Sequence, residues 1–256
     1  MPHPVFTEPL ALVVETEILD ARPGAIRVGA SPFFPGGGGQ FPDRGRIVHR
    51  DGEARFAGAT QDADGLWIAH DGDGPPPSGA VRLEVDAGFR ALMSELHTAA
   101  HVANSIVYQA FGGALLTGAQ LSADGTFRVD FDLPGIDQER LRATETAMND
   151  ALRSDLPVSE AWMPYAEAAA VPGLFRSKGV APPPQPDGLV RIVSIGDLDR
   201  QACGGTHLAA TGACRPLRIL RIDNKGRQNR RLKIGLAGAP FAIDAGPAGE
   251  PVRTPS

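Results

Sequence analysis

Residues 86–111 read DAGFRALMSELHTAAHVANSIVYQAF, about 25 residues without a proline after an aspartate placed to cap a helix. Phe89, Leu92, Met93, Leu96, Ala100, Ala103 and Val107 recur at spacings of three and four, the period of an amphipathic helix. The same stretch carries His97 and His101. Four apart on a helix, two imidazoles project from one face, as a pair of metal-ligating histidines must. The competing reading is a histidine pair that merely fills that face.

The chain changes character on either side of this helix. Before it, LALVVETEILDA, AIRVGAS, RGRIVHR, LWIAH and AVRLEV are short β-like runs separated by turn signals. Such spacing predicts a small barrel-like β domain over residues 1–85. After it, TFRVDFDL alternates like a strand and IDQERLRATETAMNDALRSD reads as a second helix. Residues 156–163 and LVRIVSIGDLD read as strands, APPPQPDG as a stiff surface loop, and LRILRIDNKGRQNRRLKIGLA as a strand pair. The expected fold class is α+β: the small barrel, then a sheet packed on the long helix over residues 86–245, and a frayed tail over 246–256.

Composition narrows the function classes. A hydrophobic fraction of 42% with 21% charged residues is ordinary for a globular protein, while 31 glycines and 23 prolines favour turns over a helical bundle. No apolar run approaches the roughly 18 residues of a membrane span, and the first residues lack the regions of a secretory signal. A cytoplasmic location without membrane contact is expected. Two cysteines, Cys203 and Cys214, make no disulfide framework. The net charge of −5 excludes an indiscriminate nucleic-acid coat but permits a local basic patch. Between Arg215 and Lys233, eight basic residues oppose one acid, Asp223. That pattern suits an RNA backbone or the solvated face of a strand.

A second ligand pair stands in CGGTH, where Cys203 and His207 flank a Gly-Gly bend. With His97 and His101 it makes a complete nitrogen and sulfur set for tetrahedral zinc. No Glu follows His97, so this is not the HExxH of a metalloprotease. Cys214 reads as a small buried residue. In SPFFPGGGGQFPDRG, residues 31–45, the run Gly36, Gly37, Gly38 and Gly39 lacks the Lys-Ser/Thr of a phosphate-binding loop and precedes a strand-like segment. No nucleotide site is expected there; a tight bend is the minimum reading.

HTAAH, TGAQL with FRVDFDL, VRIVSIGDLDRQACGGTH and NKGRQNRR together resemble the free-standing alanyl-tRNA editing proteins, the AlaX family. The same domain edits within alanyl-tRNA synthetase and is related to that of threonyl-tRNA synthetase. The resemblance implies that His97, His101, Cys203 and His207 hold one zinc ion. It places Thr98, Thr117 and Gln40 near the reacting aminoacyl end, with Gly36, Gly37, Gly38, Gly39 and Asp43 walling the pocket. The basic stripe, with its donor-dense turn NKGRQNRR, gives Lys225, Arg227, Arg230 and Arg231 to the tRNA backbone. The implied reaction is hydrolysis of the ester joining a wrong amino acid to tRNA(Ala), with Ser-tRNA(Ala) as the principal substrate and Gly-tRNA(Ala) as the second. Such editing exists because an alanine pocket rejects glycine and serine poorly. Two other readings stay open: a zinc hydrolase of small esters or amides, and a non-catalytic tRNA-binding module stabilised by zinc. No segment reads as an ATP-dependent aminoacylation domain, so no ATP site is expected.

Overall fold

The computed structural model describes residues 11–62, 65–72, 77–135, 137–178, 182, 184–185 and 187–238. The expected tail over 246–256 and part of the APPPQPDG loop lie outside them. The N-terminal strands are β1 (Val13–Arg22), β2 (Ala25–Val28), β3 (Gly45–His49), β4 (Gly52–Asp62), β5 (Gly65–His70) and β6 (Gly79–Val85). They close into an antiparallel barrel in the order β1-β2-β5-β4-β3-β6, which leaves no strand edge unpaired. Alternation in β6 turns Val81, Leu83 and Val85 inward. They meet Ile26, Ile47, Ile68 and a stacked Phe33–Phe56 pair, centroids 4.1 Å apart. The sequence reading missed β4 because GEARFAGATQD gives only Phe56 to that buried core and bulges between Phe56 and Gly58.

Helix α1 (Ala87–Ala110) starts at Asp86, whose carboxylate accepts from the Phe89 N–H at 2.9 Å. Beyond it come β7 (Leu116–Leu121), β8 (Thr126–Asp132), α2 (Gln138–Arg142), α3 (Thr144–Arg153) and β9 (Val158–Pro164). Then follow α4 (Tyr165–Ala170), β10 (Leu189–Ile195), β11 (Asp199–Ala202), β12 (Leu217–Lys225) and β13 (Asn229–Leu236). One sheet has the order β12-β13-β8-β7 and the other β11-β10-β9.

The expected second helix is two, α2 and α3. At the break the Thr144 hydroxyl donates to the Leu141 carbonyl at 2.6 Å, a local bond that competes with the helical ladder. Seventeen of the 24 residues of α1 are buried, so packing rather than helix propensity holds it. Phe127, Val129 and Phe131 of β8 and Leu232 and Ile234 of β13 join Met93, Leu96, Ala103 and Val107 of α1 in the main core. Each fully buried side chain of this size contributes about 1.5–3 kcal/mol.

A loop, residues 31–43, leaves the barrel and lies on α1 and β7. Arg90 of α1 donates through Nε to Asp43 Oδ1 at 2.9 Å and through Nη2 to the Pro32 carbonyl at 2.8 Å. Asp43 also accepts from the Phe34 N–H at 2.6 Å. The ion pair is buried, with side-chain exposures of 7% and 0%. Among the described residues, no helix is long and apolar enough to cross a membrane.

Candidate metal centre and adjoining cavity

Helix periodicity sets His97 and His101 one turn apart on α1, ring centroids 5.2 Å from each other. The loop after β11 brings Cys203 and His207 to the same point. Cys203 Sγ lies 3.5 Å from His97 Nε2 and 3.3 Å from His207 Nε2. The bend requires glycine at 205: a Cβ there would stand 1.9 Å from His97 Cε1 and 2.8 Å from Gln40 Oε1. One ligand atom from each of the four residues lies within 4.8 Å of the others, and the group can hold a metal ion.

Whether these residues fit a metal is decided by their outer nitrogens, because a ligating histidine donates its second N–H to a fixed acceptor. His97 Nδ1 is 2.8 Å from Gln40 Oε1. The Thr206 N–H also donates to Oε1, at 3.0 Å, and Gln40 Nε2 donates to the Thr206 hydroxyl at 2.8 Å. The amide is thereby oriented and His97 carries its proton on Nδ1. His101 Nδ1 faces Asp199 Oδ2 at 2.8 Å. His207 Nδ1 lies 3.3 Å from the Thr98 hydroxyl, which itself donates to the Ser94 carbonyl at 2.9 Å. All three Nδ1 atoms are engaged, and the Nε2 atoms are left for a metal. The residues fit.

Burial opposes a charge on Cys203, but His97, His101 and His207 hold its thiol well below the usual value. Burial also works against charge on His101, yet the Cys203 thiolate and Asp199 raise it to about 10. On His207 burial prevails, aided by His97, and lowers it to about 3. Cys214 stands apart from the cluster, pushed up to about 12 by burial and then by Glu95. A metal that takes His101 as ligand displaces its proton. Zinc titration of the protein should therefore release about one proton at pH 7, and apparent affinity should rise about tenfold per pH unit below the His101 value. Calorimetry in buffers of different ionisation enthalpy reads this; buffer-independent heats would contradict it.

The cluster opens on a cavity of about 680 Å³. Gly36, Gly37, Gly38 and Gly39 form one wall, Ala100, His101 and Asn104 of α1 another, and Gly118 and Ala119 of β7 a third. All four glycines of the run have positive φ, from 61° to 129°. Gly37 and Gln40 exchange two backbone hydrogen bonds of 3.0 Å, closing the bend. A Cβ on Gly39 would lie 2.5 Å from the Ala119 carbonyl oxygen, where the bend docks on β7 through Leu121 N–H to Gly39 O at 2.8 Å.

Other expected site residues sit differently. Asp43 does not line the cavity, because its carboxylate is taken by Arg90 and the Phe34 N–H. Thr117 is absent from the wall as well: its hydroxyl donates to the Asp130 carbonyl at 3.2 Å, and a bulge between Leu116 and Gly118 turns it away. Thr98 is fully buried behind His207, and Gln40, 3% exposed, sits behind His97. Four of the eight basic residues of the stripe, Arg215, Arg218, Arg221 and Arg231, are ion-paired. Arg231 holds Asp130 through bonds of 2.7 and 2.6 Å, Arg215 holds Glu95, and Arg218 approaches Glu145. Arg230 is buried, whereas Lys225 and Arg227 stand exposed at the β12–β13 turn. Sequence reasoning missed Asp199 and Gln201. Their signal was the period of two that places both on the buried side of β11, in line with Cys203 just beyond the strand.

Comparison with known proteins defines the class first. The domain described as "Threonyl and Alanyl tRNA synthetase second additional domain" matches residues 190–233. The alanine–tRNA ligase of Korarchaeum cryptofilum is 32% identical over 219 residues, 84% of this chain and 24% of that protein. The chain thus spans about a quarter of the length of the ligases it matches. The alanyl-tRNA editing protein AlaX-M of Methanosarcina acetivorans is 31% identical over 214 residues, 80% of this chain and 85% of that one. AlaX-M of Saccharolobus solfataricus is 29% identical over 206 residues, covering 78% and 84%. The chain belongs to the alanyl-tRNA editing protein family.

Proposed function

We propose that the chain is an aminoacyl-tRNA hydrolase that deacylates mischarged tRNA(Ala). Ser-tRNA(Ala) is the principal substrate and Gly-tRNA(Ala) the second, and the metal held by His97, His101, Cys203 and His207 is one zinc ion. The observation that carries this reading is a four-donor cluster opening on a glycine-walled cavity, in a chain of the alanyl-tRNA editing family. The nitrogen and sulfur donor set supports zinc, and the cavity volume suits a small ligand such as an aminoacylated terminal nucleoside.

Hydrolysis breaks the bond between the acyl carbon and the ribose oxygen; water adds hydroxyl to the carbon and a proton to the oxygen. A zinc ion held by His97, His101, Cys203 and His207 would supply Lewis acidity, by activating water or by polarising the ester carbonyl. The chain's own residues position the parts. Gln40, Asp199 and Thr98 hold the three imidazoles, so Gln40 and Thr98 are positioning residues. The side-chain-free wall at Gly36–Gly39 lets the ribose end approach backbone, and Ala100, Leu121 and Val129 keep the acyl group away from bulk water.

Gly38 has φ +61° and no atom within 4 Å of a Cβ position. Gly38→Val strains the bend without touching the ligands, so deacylation should fall about tenfold or more at unchanged zinc content. Surviving activity would reduce the run to a turn. Lys225 and Arg227 are the proposed backbone contacts of tRNA. Lys225→Glu with Arg227→Glu should weaken tRNA binding and flatten its salt slope by about two; unchanged filter binding would place the RNA elsewhere.

We also propose a division into units over 1–85 and 86–245, since β6 ends at Val85 and α1 opens at Ala87, and a cytoplasmic location, where charged tRNA is found. The deciding experiment measures deacylation of Ser-, Gly- and Ala-tRNA(Ala) alongside zinc content. Turnover of small esters with none of tRNA would favour the general hydrolase, and binding without turnover the non-catalytic module.

A further inference from the structure

We propose that Asn104 is the specificity-determining residue of this cavity, its Oδ1 accepting a hydrogen bond from the hydroxyl of the aminoacyl group; this rests on the deacylase reading above. Asn104 lies one turn beyond His101 on α1, lines the cavity, and is only 4% exposed. Its Oδ1 is buried and has no hydrogen-bond partner among the described residues. Buried acceptors are almost always paired, so one left over at a cavity wall points to a donor on the ligand.

The orientation of this amide follows from the metal centre outward. Asp199 is a carboxylate and only accepts. It is fixed by His101 Nδ1 and by Arg176 Nη1, each at 2.8 Å. Gln201 must therefore present its Nε2 to Asp199, which it does at 2.8 and 3.0 Å. Its Oε1 is then left to accept from Asn104 Nδ2 at 3.0 Å. Asn104 has no remaining choice: its nitrogen is committed to Gln201 and its oxygen is left without a partner among the described residues.

A neutral acceptor selects a hydroxyl over an ammonium. A buried ammonium requires an opposite charge, whereas a hydroxyl requires one acceptor. Asn104 is uncharged and shares the cavity with apolar Ala100, Leu121 and Val129. Serine carries the hydroxyl that pairs with Oδ1. Alanine and glycine leave it unpaired, and a site built to bond a hydroxyl discriminates strongly against analogues that lack it.

The test compares wild type and Asn104→Ala on Ser- and Gly-tRNA(Ala), with zinc content measured for both. Asn104→Ala should lower kcat/KM on Ser-tRNA(Ala) about tenfold or more and change that on Gly-tRNA(Ala) less than about twofold. An equal fall on both substrates at full zinc content makes Asn104 a structural brace and overturns the proposal; so does no change on either. A second measurement needs no variant. Non-hydrolysable 3′-amide analogues of seryl- and alanyl-adenosine compete for the wild-type site, and the seryl analogue should inhibit at least about tenfold better; equal inhibition overturns the proposal. A wild type inactive on every mischarged tRNA defeats the deacylase reading, and this inference with it. An active wild type with equal analogues defeats this inference alone.

Discussion

His101→Ala should leave the purified protein with little or no zinc and lower deacylation of Ser-tRNA(Ala) by more than about 100-fold. Loss of an outer hydrogen-bond partner alone typically costs 10–100-fold, and His101 is a proposed ligand itself. The fold should survive the change. Asp199, which faces the His101 imidazole, keeps Arg176 at 2.8 Å and Gln201 at 2.8 and 3.0 Å, so its carboxylate is not stranded. Asp199→Asn should give an intermediate result, because an amide can still meet His101 but holds Arg176 less well. Elemental analysis, circular dichroism and a deacylation assay together read this. Full activity in a zinc-free but folded His101→Ala protein would sink the metal assignment.

The largest stability effect is expected at a position that touches neither metal nor cavity. Asp43→Ala should destabilise the protein by about 3–5 kcal/mol, since it leaves the Arg90 guanidinium buried without its counter-charge. The pair is deeply enclosed, with side-chain exposures of 0% and 7%, so solvent does not screen the loss. Removing both charges at once is milder. Asp43→Leu with Arg90→Met should recover much of the stability, although the Phe34 N–H and the Pro32 carbonyl then lose their partners. Urea denaturation of the single and double variants measures both. A single-variant effect below about 1 kcal/mol would mean the pair behaves as an exposed one.

The sequence carried the local part of this structure and concealed the long-range part. Periodicity disclosed α1, and spacings of four disclosed all four proposed ligands, because a helix turn and a tight bend are properties of adjacent residues. Pairing across distant residues left no such trace. The basic segment from Arg215 to Lys233 looked open because its acids, Asp130, Glu95 and Glu145, arrive from other elements. Asp43 looked like a pocket group because nothing near it in sequence announces Arg90, 47 residues away. Thr117 was misplaced by a single-residue irregularity in β7, which composition does not reveal. Asn104 sat in plain view, seven residues after His97, but its value depends on an amide orientation dictated from β11.

The bend at Gly36–Gly39 delivers Gln40 to two partners at once, the His97 ring and the Thr206 backbone, on segments far apart in the chain. Seating of the loop and capture of the ion therefore draw on the same atom, and thermodynamics makes their effects on one another equal. Affinity for the proposed zinc ion would then gauge how firmly the barrel's loop is seated. A ligand that pushes on the glycine wall would loosen or tighten a bound metal to the same degree that the metal resists the push.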